Sequence, residues 1–329
     1  MGAELGHPDG VIVFDPPGFP KKGNDSVGLA RQWMGRLGKV DNGQVAVHMG
    51  CASQVEHALV DVRLYLPEEW AQDKARREAC GVPKEIRFQT RHELALEMLA
   101  SRGGLLPHPW IAGDDEMGRS TRSRKELGAW GEQSLLAVPS NTSIRDLVAE
   151  RPAYGGLGQP PKQPFQRVEQ WRDSLPEESW TRIEVRDGEK GSLVVEAARS
   201  RVQARTQRGR RQTTEEVLFV TRTPSEDGKT QHQHCLSNAP LETSLEELAR
   251  VAKAEHRIEE CGQRGKSEAG PGDCEVRTWA GWHHHQALSL IAIWFLVCES
   301  RRGEKMDAGD HGSIDSRRAG HASARGVSV

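Results

Sequence analysis

No apolar run in this 329-residue chain is long enough to cross a bilayer. The longest, ALSLIAIWFLV at 287–297, falls short of the roughly 20 residues a spanning helix needs, so it reads as a buried helix. A basic excess is missing too: Lys and Arg total 45 against 47 Asp and Glu, a net charge of −2. That excludes the strongly basic body common among nucleic-acid binders and leaves only local clusters to fill such a role. The six cysteines (Cys51, Cys80, Cys235, Cys261, Cys274, Cys298) form no C-x-x-C pair. Their scatter argues against a zinc site or a disulfide framework and predicts reduced thiols in a cytoplasmic protein. No basic segment followed by an apolar core opens the chain, so no signal peptide is expected. No internal repeat is evident, and SVGLARQ lacks a phosphate-loop pattern.

What the chain does contain is an alternation of strand-like and helix-like segments. VIVF at 11–14 is a short apolar run bounded by turn formers, as in a strand covered on both faces. QVAVHMGCAS (44–53) and HALVDVRLYL (57–66) read as a hairpin beside it. A helical pattern follows over 84–104, then a strand in PWIAGDDEMG (109–118), a helix over 121–131 and the strand SLLAVPS (134–140). That order predicts an α/β layer domain over 1–150. Residues 151–240 open on a Pro- and Gly-rich connector and continue as strand-like segments, a β-rich insertion. Residues 241–300 return to helix and close the core, and 301–329 are expected to be disordered.

Two acids stand at strand ends, Asp15 and Asp114. In an open α/β sheet ligands lie beyond the strand carboxyl ends, so both side chains can reach one crevice. Carboxylates with no thiolate or imidazole partner suit a hard cation such as Mg²⁺. A third acid would allow two ions about 3.5–4 Å apart, the arrangement that supports in-line phosphoryl displacement. The candidate is Glu259 in RIEECGQRGK, which shares a helix face with Lys266 seven residues on. Asp115 and Glu116 read instead as helix N-terminal acids.

The wording around these acids resembles that of insertion-sequence transposases of the DDE superfamily. FDPPGFPKKGNDSVGLARQWMGRLGKVDNGQVAVHM is similar to the family's opening, in which a strand-end Asp precedes a GF-x-KKG-x-x-SVG segment and an R-Q-aromatic-x-G turn. WIAGDDEMG stands where the family has its second Asp, and AEHRIEECGQRGKSEAG, running on to EVRTWAGWHHHQALSLIAIWFL, resembles its last helix. The resemblance covers roughly residues 9–300. It implies a ribonuclease-H-like mixed sheet flanked by helices, with a β-rich insertion between the second Asp and the Glu. It also implies a catalytic and metal-binding triad of Asp15, Asp114 and Glu259 holding two Mg²⁺ or Mn²⁺ ions. The expected reaction is phosphodiester cleavage at transposon ends and strand transfer into target DNA, by a dimer assembled on that DNA. No membrane partner is implied; the expected location is the bacterial cytoplasm, at the nucleoid when bound to DNA. Lys21, Lys22 and Lys266 would face DNA phosphates. The six-arginine run ARSRVQARTQRGRR, with Arg201, Arg205 and Arg210, reads as either a backbone-tracking patch or a solvated hairpin.

The chain also departs from the pattern. Pro16 and Pro17 fill positions where the family carries an acid and a threonine, and Glu255 stands where one branch has an arginine. The resemblance begins near residue 9, so an N-terminal DNA-binding region is expected to be lacking. These departures make a truncated or decayed DNA-binding remnant without catalysis the alternative reading.

Overall fold

The computed structural model describes residues 7–54, 56–150, 152–154, 156, 161–187, 191–205, 213–224 and 228–319. The run VIVFD forms the central strand β1 (Val11–Asp15). Strand alternation sends Val11 and Val13 to one face and Ile12 and Phe14 to the other, and the two pairs enter different core clusters. Four fully buried apolar side chains contribute about 1.5–3 kcal/mol each, which explains why this segment forms the middle of the sheet.

Two short strands, β2 (Gly18–Pro20) and β3 (Ala30–Met34), both pair with the long β4 (Lys39–Ala52). β4 lies antiparallel to β1, and β5 (His57–Leu64) lies antiparallel to β4, the hairpin expected from alternation. Short helices α1 (Glu68–Gln72) and α2 (Lys74–Ala79) lead to α3 (Arg91–Arg102). The periodicity predicts a start near residue 84, but the helix begins at Arg91. A reciprocal capping box fixes that boundary: the Glu93 N–H donates to Thr90 Oγ1 (3.2 Å) and the Thr90 N–H to Glu93 Oε2 (2.9 Å).

β6 (Trp110–Gly113) returns parallel to β1. Helices α4 (Asp115–Gly118) and α5 (Thr121–Ala129) then lead to β7 (Ser134–Ala137), parallel to β6. The core order β5-β4-β1-β6-β7, with three antiparallel strands followed by two parallel ones, is the ribonuclease-H-like arrangement.

β8 (Ser143–Asp146) follows β7, and the insertion comprises β9 (Gln166–Arg167), helix α6 (Val168–Asp173), β10 (Thr181–Asp187), β11 (Gly191–Arg205), β12 (Thr214–Pro224) and β13 (Thr230–Ser237). β13 pairs antiparallel with β7, so the insertion extends the core sheet rather than forming a separate layer.

Helix α7 (Leu245–Glu268) starts at Ser244, whose side chain accepts from the Glu247 N–H at 3.1 Å. Its apolar stripe, including Leu248, Val251, Ile258 and Cys261, packs with Val11, Val13, Ala112 and Cys235 on one face of the sheet. α3 covers the opposite face through Leu94, Met98 and Leu99 against Ile12, Phe14 and Ile111. The last helix, α8 (Trp279–Ala319), buries Trp282 against the β5 side of the core. It continues beyond Arg301 into the stretch whose composition predicts disorder, because extending a helix needs no new nucleus. Residues 320–329 lie outside the described residues.

Candidate active site

Strand parity determines where the two aspartates point. Asp15 follows Val11 and Val13 on the β1 face covered by α7, and Asp114 follows Trp110 and Ala112 on the same face of β6. The parallel register pairs Phe14 with Gly113, so the next residues, Asp15 and Asp114, stand at one level on neighbouring strands, whose backbones run about 4.8 Å apart across the sheet. Asp114 also caps α4: its Oδ1 accepts the Met117 N–H at 3.0 Å. Asp115 and Glu116 occupy the first turn of that helix, as expected of N-terminal acids. The turn packs so closely on β7 that a Cβ at Gly118 would lie 1.8 Å from the Ala137 carbonyl oxygen.

α7 supplies the facing carboxyl groups. Its approach to the sheet depends on Gly50 of β4, where a Cβ would stand 2.6 Å from Ile258 Cδ1. Glu255 lies between Val251 and Ile258 in the buried stripe, and its Oε2 accepts from the Gln233 side chain at 3.2 Å. Glu259 lies one turn on, at the rim. Its side chain is 49% exposed and 3.7 Å from His256. Asp15, Asp114 and Glu255 therefore lie close enough to feel one another's charge, and Glu259 acts on Glu255 from the exposed end of the same helix face. The sequence marks Glu255 only as a departure from a family branch that carries arginine there. Its spacing from Val251 and Ile258, four and three residues, was the available signal that it faces inward.

The electrostatics follow from that crowding. Burial, followed by the charges of Asp15, Glu116 and Asp115, pushes Asp114 up to about 8, against the opposing pull of the Met117 N–H. Burial also pushes Glu255 up to about 8, reinforced by Asp114, Glu259 and Asp15. Both groups hold protons near neutrality because burial and like-charged neighbours act in the same direction. Among the described residues no three His, Cys, Asp or Glu side chains converge on one point in metal-holding fashion. An oxygen-only donor set of mutually repelling carboxyls nevertheless fits a hard divalent ion, which takes one or two carboxylates and completes its shell with water and phosphate.

The basic residues expected to contact DNA are placed differently from one another. Lys21 Nζ donates to the main-chain carbonyls of Cys274 and Val276, the latter at 3.1 Å, and so ties the strand after Asp15 to the segment following α7. Lys22 is exposed. Lys266 lies on α7, and nothing of its side chain is described. Arg201 is 58% exposed and 3.7 Å from Glu215, whereas Arg205 stacks on the Phe165 ring at 4.0 Å, with Arg145 on the same ring at 4.2 Å. Arg210 lies outside the described residues. The diproline stays in register with the sheet: the Pro17 carbonyl accepts the Ala46 N–H at 3.2 Å.

No curated protein matches the chain. Among solved structures, a cryo-EM piggyBac transposase synaptic complex with hairpin DNA aligns at TM-score 0.38 and 12% identity, covering 86% of this chain and 45% of that one. The chain thus spans less than half the length of that transposase. The NurA nuclease from Sulfolobus solfataricus aligns at TM-score 0.30 and 8% identity, covering 91% of this chain and 86% of that one. At these scores neither neighbour bears on individual residues. The family model described as DDE superfamily endonuclease matches residues 1–192, a span that contains Asp15 and Asp114 and ends before α7. More than half of the chain is matched, and the protein belongs to the DDE superfamily endonucleases.

Proposed function

We propose that this protein is a transposase that cuts phosphodiesters at insertion-sequence ends and transfers the freed strand into target DNA. The observation that carries this reading is the pair Asp15 and Asp114, level on adjacent parallel strands and facing the glutamates of α7. Asp15, Asp114 and Glu259 would hold two Mg²⁺ or Mn²⁺ ions. When bound, such ions activate water and neutralise the charge that develops on the attacking and leaving oxygens.

The chain's own groups set up that chemistry. The Met117 N–H fixes the orientation of the Asp114 carboxyl, and Gln233 fixes that of Glu255. Asp114, one of the three ligands, carries a proton at neutral pH and releases it as positive charge arrives, whereas Glu255, which is not a ligand, keeps its own. Lys22, Lys266, Arg201, Arg205 and Arg210 are the proposed phosphate contacts, with Lys21 holding the loop beside them. In functional terms, residues 1–150 and 241–300 form the nuclease core and 151–240 a DNA-facing insertion; the active assembly is a dimer on DNA.

The test is nicking of DNA carrying the element's terminal repeats with Mg²⁺ or Mn²⁺, for wild type beside Asp114→Asn and Glu259→Gln. Cleavage at the wild-type rate by either mutant sinks the triad. The Pro16–Pro17 pair after Asp15 favours a second reading, a non-catalytic DNA-binding remnant, and DNA binding without any cleavage by wild type would support it.

A further inference from the structure

The hairpin formed by β3 and the start of β4 carries an aromatic surface that the nuclease site does not use. β3 alternates strictly: Ala30, Gln32 and Met34 are buried, whereas Arg31 and Trp33 face solvent. The inner side is firmly held. Gln32 Nε2 donates to the carbonyls of Gly28 (3.3 Å) and Gly43 (3.0 Å), and Met34 is packed tightly enough that a Cβ at Gly18 would lie 2.5 Å from its sulfur. The outer side is apolar: Trp33 is 55% exposed, its cross-strand partner Val40 49% and Leu37 at the turn 42%. Of the nine tryptophans Trp33 is the most exposed. It therefore stands on a rigid platform without the burial that a tryptophan ordinarily obtains.

The surrounding charge says what would cover it. From Lys21 to Asp41 the chain carries Lys21, Lys22, Arg31, Arg36 and Lys39 against Asp25 and Asp41 alone, in a protein whose overall charge is −2; Lys39 is paired with Asp41 at 2.9 Å and Lys21 with main-chain carbonyls, while Lys22 and Arg31 are exposed. The hairpin is also an extension of the catalytic sheet. Asp15 is paired with His48 on β4, and Val40 lies eight residues along the same strand, at most about 27 Å away. That reach corresponds to about eight nucleotides of one DNA strand. An aromatic side chain in basic surroundings is the combination that receives unstacked bases.

We infer that Trp33, flanked by Arg31 and Val40, stacks on an unpaired base of the substrate DNA about eight nucleotides or fewer from the phosphate held at Asp15 and Asp114. This rests on the DNA-acting reading above but assigns a contact that reading does not need. Stacking is tolerant of sequence, so the terminal repeat need not be known to test it.

The experiment measures binding of the full-length protein to a single-stranded oligonucleotide carrying 2-aminopurine, over a series of salt concentrations. Trp33→Ala is expected to weaken binding roughly 5- to 150-fold, the range of one lost base–aromatic stack, with the salt slope unchanged and the 2-aminopurine quenching lost. Trp33→Phe restores most of both signals, which guards against a variant that simply fails to fold. Arg31→Ala instead shallows the salt slope by about 0.7. Wild-type affinity and quenching in Trp33→Ala would overturn the inference alone. Failure of the wild type to bind any DNA would overturn the DNA-acting reading with it. A wild-type dimer that becomes monomeric in Trp33→Ala, with DNA affinity unchanged, would assign the surface to a second copy of the chain instead.

Discussion

Glu255 faces Asp114 across the crevice between helix α7 and the end of β6, and the charge of Asp114 helps hold the Glu255 carboxyl up to about 8. The helix position at which one branch of the family carries arginine is thus a neutral acid at physiological pH.

An amide at 255 should therefore replace like with like. At pH 7 Glu255→Gln is expected to keep nicking activity within about threefold of wild type, because the carboxyl it replaces is already protonated. Asp114→Asn and Glu259→Gln should each lower it by at least about 10²-fold, the usual effect of losing a group that acts in the transition state. Rates measured side by side decide the roles: a Glu255→Gln loss as large as that of Asp114→Asn would make Glu255 the third essential acid.

The same two carboxyls give stability a definite pH dependence. Their folded values lie near 8, above ordinary values of 3.8 for Asp114 and 4.5 for Glu255. The fold retains protons that the unfolded chain has already lost. Their contribution is therefore complete below about pH 4 and is lost as pH rises through about 8. Urea midpoints of the metal-free protein at pH 6 and pH 9 should show this fall, about 2–3 kcal/mol for each group. Asp114→Asn or Glu255→Gln should flatten it.

Ion binding should draw on the proton of Asp114. Mn²⁺ affinity is expected to rise between pH 6 and 8.5, by up to about tenfold per pH unit for each proton displaced. Calorimetry in two buffers of different ionisation enthalpy would count the protons released, and a pH-independent affinity would contradict the crowded-carboxyl picture.

Lys21 and Lys22, adjacent in sequence, should separate by experiment. Lys21→Met removes a cation from two main-chain carbonyls beyond α7 and should lower stability by about 1–3 kcal/mol. Lys22→Ala should leave stability within about 0.5 kcal/mol and shallow the salt dependence of duplex binding by about 0.9. Thermal melts and salt titrations of both variants check this.

A buried ion pair locks the core to the insertion. Arg124 of α5 donates to Glu216 of β12 at 2.7 Å, with side chains 2% and 4% exposed. Glu216→Ala should cost roughly 3–5 kcal/mol, because it strands a buried guanidinium, and the double variant Arg124→Met/Glu216→Leu should recover much of that loss. Urea unfolding of the three proteins measures it.

The elements with strong local signals were legible without coordinates. VIVF at β1, the alternating hairpin of β4 and β5, the strands of the insertion and the Ser-capped start of α7 all carry a periodicity or cap that acts over a few residues. Asp15 and Asp114 were legible as strand-end acids for the same reason. β2 has only three residues, β3 buries Gln32 and exposes Trp33 against the hydrophobic pattern, and the start of α3 depends on a capping box that overrides the pattern before it.

Local sequence thus determined which segments are strands, which are helices and which two aspartates end neighbouring strands. Tertiary structure alone decided that β13 joins β7 into one sheet, that Lys21 turns to carbonyls, and that Glu255 rather than Glu259 lies innermost. The reason is geometric. Two glutamates four residues apart share a helix face, and which of them reaches the aspartates depends on how α7 rolls onto the sheet. That roll is set by Ile258 seating over Gly50, a contact between residues 208 positions apart in the chain.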